Sequence, residues 1–132
     1  MKLFTCQGCG QVLYFENTVC AQCQRRLGYL PEEETMSALE PDGDTWQALG
    51  ARDGTRRHLF CRNAQHDVCN WLVPADSGED FCLACRHNRI VPNLAEPGNI
   101  EHWRALEVAK HRLFYSLLRL RLPLHTRQED PE

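Results

Sequence analysis

The sequence predicts a small α+β fold stabilised by metal: a rubredoxin-like zinc ribbon, a second four-cysteine zinc lobe and a long C-terminal helix. Three observations predict it. Eight cysteines fall into two sets of four, Cys6-x2-Cys9-x10-Cys20-x2-Cys23 and Cys61-x7-Cys69-x12-Cys82-x2-Cys85. The chain has 132 residues, 42% of them apolar; a core of that size shared between two lobes is thin, and thin lobes depend on disulfides or metals. Near the C-terminus, apolar residues recur with helical periodicity over more than twenty positions, which reads as one amphipathic helix.

Metal rather than disulfide follows from compartment. The segment Met1-Lys2-Leu3-Phe4-Thr5-Cys6-Gln7-Gly8 has no long apolar run and no small-residue cleavage site, so no signal peptide is predicted. The most apolar stretch, Leu113 to Leu122, is interrupted by Arg119 and Arg121, which excludes a membrane span. A cytoplasmic location is therefore expected. There thiols stay reduced, and paired cysteines favour metal. Two structural Zn2+ ions are expected, one for each set. Iron in the first set is the alternative, since the same four thiolates bind it.

Residues 1–30 form the expected ribbon. Lys2 to Thr5 and Gln11 to Phe15 read as short strands around the first cysteine pair. In Cys6-Gln7-Gly8-Cys9-Gly10 the last glycine permits the positive φ that turns backbone N–H groups toward the sulfurs. The second knuckle, Cys20-Ala21-Gln22-Cys23-Gln24, places Gln24 at that position instead. Residues 31–60 read as an acidic hairpin or connector, with Pro41-Asp42-Gly43-Asp44 as the turn between Met36–Leu39 and Thr45–Leu49.

Residues 61–92 form the second lobe. Its first pair is separated by seven residues, and that loop contains His66, a rival ligand. His58 and His87 are lesser candidates. The expected metal ligands remain Cys6, Cys9, Cys20, Cys23, Cys61, Cys69, Cys82 and Cys85. Residues 93–132 are read as the long helix and a polar tail. The helix is expected over 99–122, capped by Asn99 and stopped by Pro123. Trp103, Leu106, Leu113, Phe114, Leu117 and Leu120 fall on one broad face, expected to pack as core or in part to receive a partner.

Charge narrows the partners. The formal net charge is −3, and two zinc ions held by four thiolates each would take it to roughly −7. Seven acids face a single Arg52 between Pro31 and Gly54, whereas eight basic residues face three acids between Arg86 and Arg127. The chain therefore lacks the basic excess of most nucleic-acid binders. Arg25, Arg26, Arg56, Arg57, Arg62 and Arg86, close to the cysteines, are the residues that phosphates would use if a stand-alone nucleic-acid-binding ribbon were the function.

No catalytic constellation is expected. The six histidines form no H-E-x-x-H pair, and the chain has no phosphate-binding loop, nucleophile elbow or dinucleotide-binding glycine pattern. Four thiolates around zinc leave no open position for water or substrate.

Several segments in combination carry a resemblance. They are Met1-Lys2-Leu3-Phe4 with Cys6-x2-Cys9-Gly10, Leu13-Tyr14-Phe15-Glu16-Asn17, Leu27-Gly28-Tyr29 and Ala38-Leu39-Glu40-Pro41-Asp42-Gly43. They continue with Cys69-Asn70-Trp71-Leu72-Val73-Pro74, Cys82-x2-Cys85-Arg86, Leu117-Leu118-Arg119-Leu120 and Leu122-Pro123-Leu124. This set resembles the N-terminal part of a bacterial family of zinc-binding metallopeptidases that begin with a zinc ribbon. The resemblance implies that the eight cysteines are structural ligands. It also implies that any H-E-x-x-H peptidase part is separate from these residues, and that the apolar helix face meets a peptidase domain or another protein partner.

Overall fold

The computed structural model describes residues 2–129; Met1 and the last three residues of the polar tail, 130–132, lie outside the described residues. Two short strands, β1 (Phe4–Thr5) and β2 (Val12–Leu13), pair antiparallel with Phe4 opposite Leu13 and hold the first knuckle between them. Five further strands follow: β3 (Leu27–Leu30), β4 (Thr35–Asp42), β5 (Thr45–Ala48), β6 (Arg57–Phe60) and β7 (Leu72–Pro74). They form an antiparallel meander in chain order. The sheet then curls. Tyr29 in β3 bridges Trp71 just before β7, and the Tyr29 N–H donates to the Asn70 carbonyl at 2.8 Å. The last strand thus returns to the first and leaves little free edge.

Curling gives the sheet two apolar faces. Leu30, Leu39, Ala48 and Leu72 gather on one, with Trp46 and Phe60 packed against them. The larger cluster takes Leu27, Tyr29, Met36, Ala38, Trp71 and Val73 from the other face. It adds Phe4, Leu13 and Phe15 from the ribbon, and Phe114 and Tyr115 from the helix. An aromatic chain runs through this cluster: Phe15 meets Tyr29 at 4.9 Å, Trp71 meets Tyr29 at 4.8 Å, and Tyr115 meets Phe15 at 5.3 Å between centroids. Because both faces of β3 are covered, all four of its residues are buried, and the strand reads as a continuous run rather than an alternation.

Gly28 shows how tight the curl is. A Cβ there would meet three side-chain atoms of Leu72 at 2.7 to 2.8 Å. Gly28→Ala is therefore expected to destabilise the fold by about 1–3 kcal/mol, read from the urea unfolding midpoint. An unchanged midpoint would show that Leu72 can yield.

The hairpin expected around Pro41–Asp44 is the β4–β5 connection, in which Asp42 pairs with Thr45 across Gly43 and Asp44. Residues 31–60 do more than connect the cysteine sets, because they supply β4, β5 and β6 of the sheet. Side-chain amides tie the parts together. Gln7, inside the first knuckle, donates to the Met36 carbonyl at 3.0 Å and accepts from the Ala38 N–H at 2.7 Å. Asn70 donates to the carbonyls of Phe15 and Asn17 at 3.0 and 2.9 Å.

The helix α1 runs Asn99–Arg119, shorter than the expected 99–122. Asn99 is its first residue and not its cap. The chain enters through Gly98 at φ +85°, and the Asn99 side chain turns back to the Asn93 carbonyl at 2.9 Å. The helix ends before Pro123 because Arg121 adopts φ 56°. The Arg121 and Leu122 N–H groups then bond back to the carbonyls of Leu118 and Leu117, a Schellman closure.

The orientation of α1 corrects the expected face. Trp103, Glu107, His111, Phe114 and Tyr115 are buried, whereas Leu106, Leu113 and Leu120 are 70%, 54% and 69% exposed. The broad apolar surface is two stripes. One packs on the core with a polar group at its centre, and the other faces outward. No helix among the described residues is long and apolar enough to cross a membrane.

Candidate metal centres

The first centre is built from two knuckles. Gly10 takes φ +83° and its N–H bonds the Cys6 carbonyl at 2.9 Å; Gln24 takes φ 65° and its N–H bonds the Cys20 carbonyl at 3.0 Å. Both positions occupy the left-handed region, and the glutamine holds it with a side-chain bond to the Ala21 carbonyl. The turns aim Cys6, Cys9, Cys20 and Cys23 at one point, and their sulfurs lie within 4.8 Å of one another. Cys6 and Cys23 are 3.7 Å apart, and Cys9 and Cys20 are 3.6 Å apart. Zinc–sulfur bonds of about 2.3 Å give tetrahedral edges of about 3.8 Å, so the residues fit a zinc ion.

The second centre gathers Cys61, Cys69, Cys82 and Cys85. Cys61 directly follows β6, Cys69 follows a 3₁₀ turn over Arg62–His66, and Cys85 starts another over Cys85–His87. The irregular seven-residue loop closes because Asp67 adopts φ 56°, which lets Cys69 come back to Cys82 at a sulfur separation of 3.7 Å. Backbone N–H groups of Trp71 and Cys85 point at the sulfurs of Cys69 and Cys82 at 3.4 and 3.3 Å, bonds that stabilise thiolates.

The thiols of each set divide their charge unequally. Backbone and side-chain hydrogen bonds from Arg25 pull Cys23 down to about 6. At Cys9 the Gln11 N–H acts downward, but burial and the thiols of Cys20, Cys23 and Cys6 push it up to about 11. In the second set, hydrogen bonds from neighbouring thiols hold Cys61 and Cys85 down. Burial raises Cys69 and Cys82, and the thiols of Cys61 and Cys85 add to it. Four thiolates in one place repel; a divalent cation removes that conflict and lets all four ionise. The two four-cysteine clusters are consistent with two structural zinc ions, which would supply folding energy and cross-links rather than a reactive water.

The histidines nominated from sequence lie outside both sets. His66 packs its ring on Trp103 at 5.6 Å. His87 bonds the Leu83 carbonyl at 2.9 Å and packs on Phe114. His58 is buried in β6, where desolvation lowers its pKa. The histidine at the second centre is His111 of α1, with Nε2 3.3 Å from the Cys69 sulfur and 3.8 Å from that of Cys85. With it comes Glu107, 4% exposed, whose carboxylate accepts from Trp103 Nε1 at 3.0 Å and Asn88 Nδ2 at 3.1 Å and pairs with Lys110 at 2.6 Å. The i, i+4 spacing of Glu107 and His111 was the available signal. It was uninformative alone, because such pairs are ordinary on exposed helix faces.

All six arginines near the cysteines find partners within the fold. Arg25, Arg56, Arg57 and Arg62 pair with Glu40, Asp76, Asp42 and Asp80. Arg26 lies over the rings of Trp46 and Phe60, and Arg86 donates to the Phe81 carbonyl.

A family model described as a zinc-ribbon domain matches residues 3–96, which include all eight cysteines. Uncharacterized proteins of Mycobacterium tuberculosis and Mycobacterium bovis are 30% identical to this chain over 132 residues, which is all of this chain and 35% of theirs. The chain thus spans about a third of the length of the curated relatives it matches. No solved structure gives a significant match. With both sets of ligands inside the matched segment and folded as zinc centres require, the chain belongs to the zinc-ribbon family.

Proposed function

We propose that this chain is a structural zinc module without catalysis of its own, which docks a protein partner on the outward stripe of α1. The partner we favour is a larger peptidase part of the same kind of polypeptide, acting in a reducing, cytoplasmic setting. The observation that carries the proposal is the spacing of Leu106, Leu113 and Leu120. They stand seven residues apart and more than half exposed, Leu106 and Leu113 on α1 and Leu120 at its C-cap, the pattern of a seam that meets another apolar surface. The length of the relatives supports it, since about two thirds of each lies outside the segment matched here. Closed four-thiolate coordination supports the absence of catalysis, and the internal pairing of the arginines weighs against phosphate binding as the main role.

The test is a triple variant, Leu106→Lys, Leu113→Lys and Leu120→Lys. It is expected to keep both zinc ions and its helical circular dichroism while losing association with the remaining two thirds of a longer relative supplied as a separate polypeptide. Association at unchanged affinity would overturn the docking role. Hydrolysis of peptides by the isolated chain would overturn the non-catalytic one.

A further inference from the structure

The second centre has a nitrogen donor, His111, beside two of its four sulfurs, those of Cys69 and Cys85. His111 is 5% exposed, and its ring is fixed from behind: Nδ1 lies 2.6 Å from the Glu107 carbonyl, to which only an N–H can donate. That bond sets the tautomer and turns Nε2 toward the sulfurs of Cys69 and Cys85, at 3.3 and 3.8 Å. The Nε2 lone pair thus faces two of the four sulfurs, where it can bind a metal ion held by them. The two separations match an edge of a tetrahedral zinc site with mixed sulfur and nitrogen ligands, about 3.5 Å for the usual bond lengths.

Glu107 holds the arrangement, and its carboxylate also lies 3.8 Å from the Cys85 sulfur. Its carboxylate is engaged by Trp103, Asn88 and Lys110, which anchors the helix turn that carries His111. Among the four sulfur ligands, Cys69 is the half-buried one; Cys61, Cys82 and Cys85 are buried. Cys69 and His111 also line the same cleft of about 220 Å³, with Phe15, Asp67, Arg104 and Val108 around it. The ligand beside the spare nitrogen is therefore the one whose residue borders the cleft, although all four ligands are shielded.

We propose that His111 is a reserve ligand of the second centre, able to replace Cys69 on zinc and convert four-sulfur coordination into three sulfurs and one nitrogen. In the exchange the zinc bond to the Cys69 sulfur breaks and a bond to His111 Nε2 forms. Any proton on Nε2 passes to the departing sulfur, so charge and atoms balance. Both ligand sets are stable tetrahedral zinc sites. The proposal rests on zinc filling the second centre.

Zinc per chain, counted by native mass spectrometry, tests it, with the first centre as internal standard. The unaltered protein and Cys69→Ser are both expected to hold two ions, and Cys69→Ser with His111→Ala only one. One ion in Cys69→Ser would overturn the reserve role, as would two in the double variant. One ion in the unaltered protein would instead overturn zinc at the second centre. A second measurement needs no cysteine change. Chelator-driven release of the second zinc is expected to quicken about tenfold or more in His111→Ala, and equally in His111→Gln, which can donate a hydrogen bond but cannot replace the imidazole ligand. Slow release from His111→Gln would show that His111 is only a hydrogen-bond donor, and unchanged release from both variants would overturn the proposal.

Discussion

Cys82→Ser is expected to remove one zinc ion of two and to release α1 from the sheet. Cys82 is fully buried, its sulfur accepts the Cys85 N–H, and no spare donor stands beside it as His111 stands beside Cys69. Structural zinc contributes on the order of 10–16 kcal/mol to the folding of small sites, comparable to the whole stability of an ordinary domain. The second centre joins the end of β6, the loop before β7, the Cys82–Cys85 turn and, through His111 and Glu107, the helix. Its loss leaves the three remaining thiols without the cation that gathers them. Hydrogen exchange checks the result. Amides of α1 from Trp103 to Tyr115 should lose protection while those of β1 and β2 keep theirs. Protection of α1 with only one zinc bound would show that the aromatic packing of Phe114 and Tyr115 holds the helix alone.

Glu107→Ala is expected to cost about 3 kcal/mol, although alanine is the better helix former. The substitution leaves the Trp103 and Asn88 N–H groups without an acceptor and Lys110, 20% exposed, without its carboxylate. Removing one member of a buried charged pair costs more than the pair itself contributes, because the remaining charge stays desolvated. Lys110 also donates to the Asn88 side chain, so it keeps one partner, and the effect stays below that of a fully stranded charge. Urea unfolding with zinc in excess measures it, and a change under about 0.5 kcal/mol, the range of neutral surface substitutions, would show that the network contributes nothing.

Three of the four cysteine pairs were legible because metal-ligand spacing is local; Cys61-x7-Cys69 is no knuckle, and its loop closes through Asp67 at φ 56°. Two residues between cysteines match one turn of a knuckle, and the chain cannot disguise that pattern by distant packing. The hairpin at Pro41–Asp44 was legible for the same reason, since turn residues act through their own backbone. The sheet was only partly legible. Leu27-Gly28-Tyr29-Leu30 has no alternation to mark a strand, because both of its faces are covered. The return of β7 to β3 joins residues far apart in the chain, Tyr29 with Trp71.

The helix draws the line most clearly. By itself the sequence determined that a helix lies before Pro123, and that eight cysteines organise the rest, since periodicity and ligand spacing are written in neighbouring residues. It could not say which side of the helix faces inward. Leucines favour burial and charged groups oppose it, so hydropathy alone placed Leu106, Leu113 and Leu120 with Trp103 and Phe114. Tertiary structure decided otherwise. Glu107 and His111 can be buried, and Lys110 half-buried, only where Asn88, Trp103 and the sulfurs of Cys69 and Cys85 meet them, and those partners come together only once the second centre has folded.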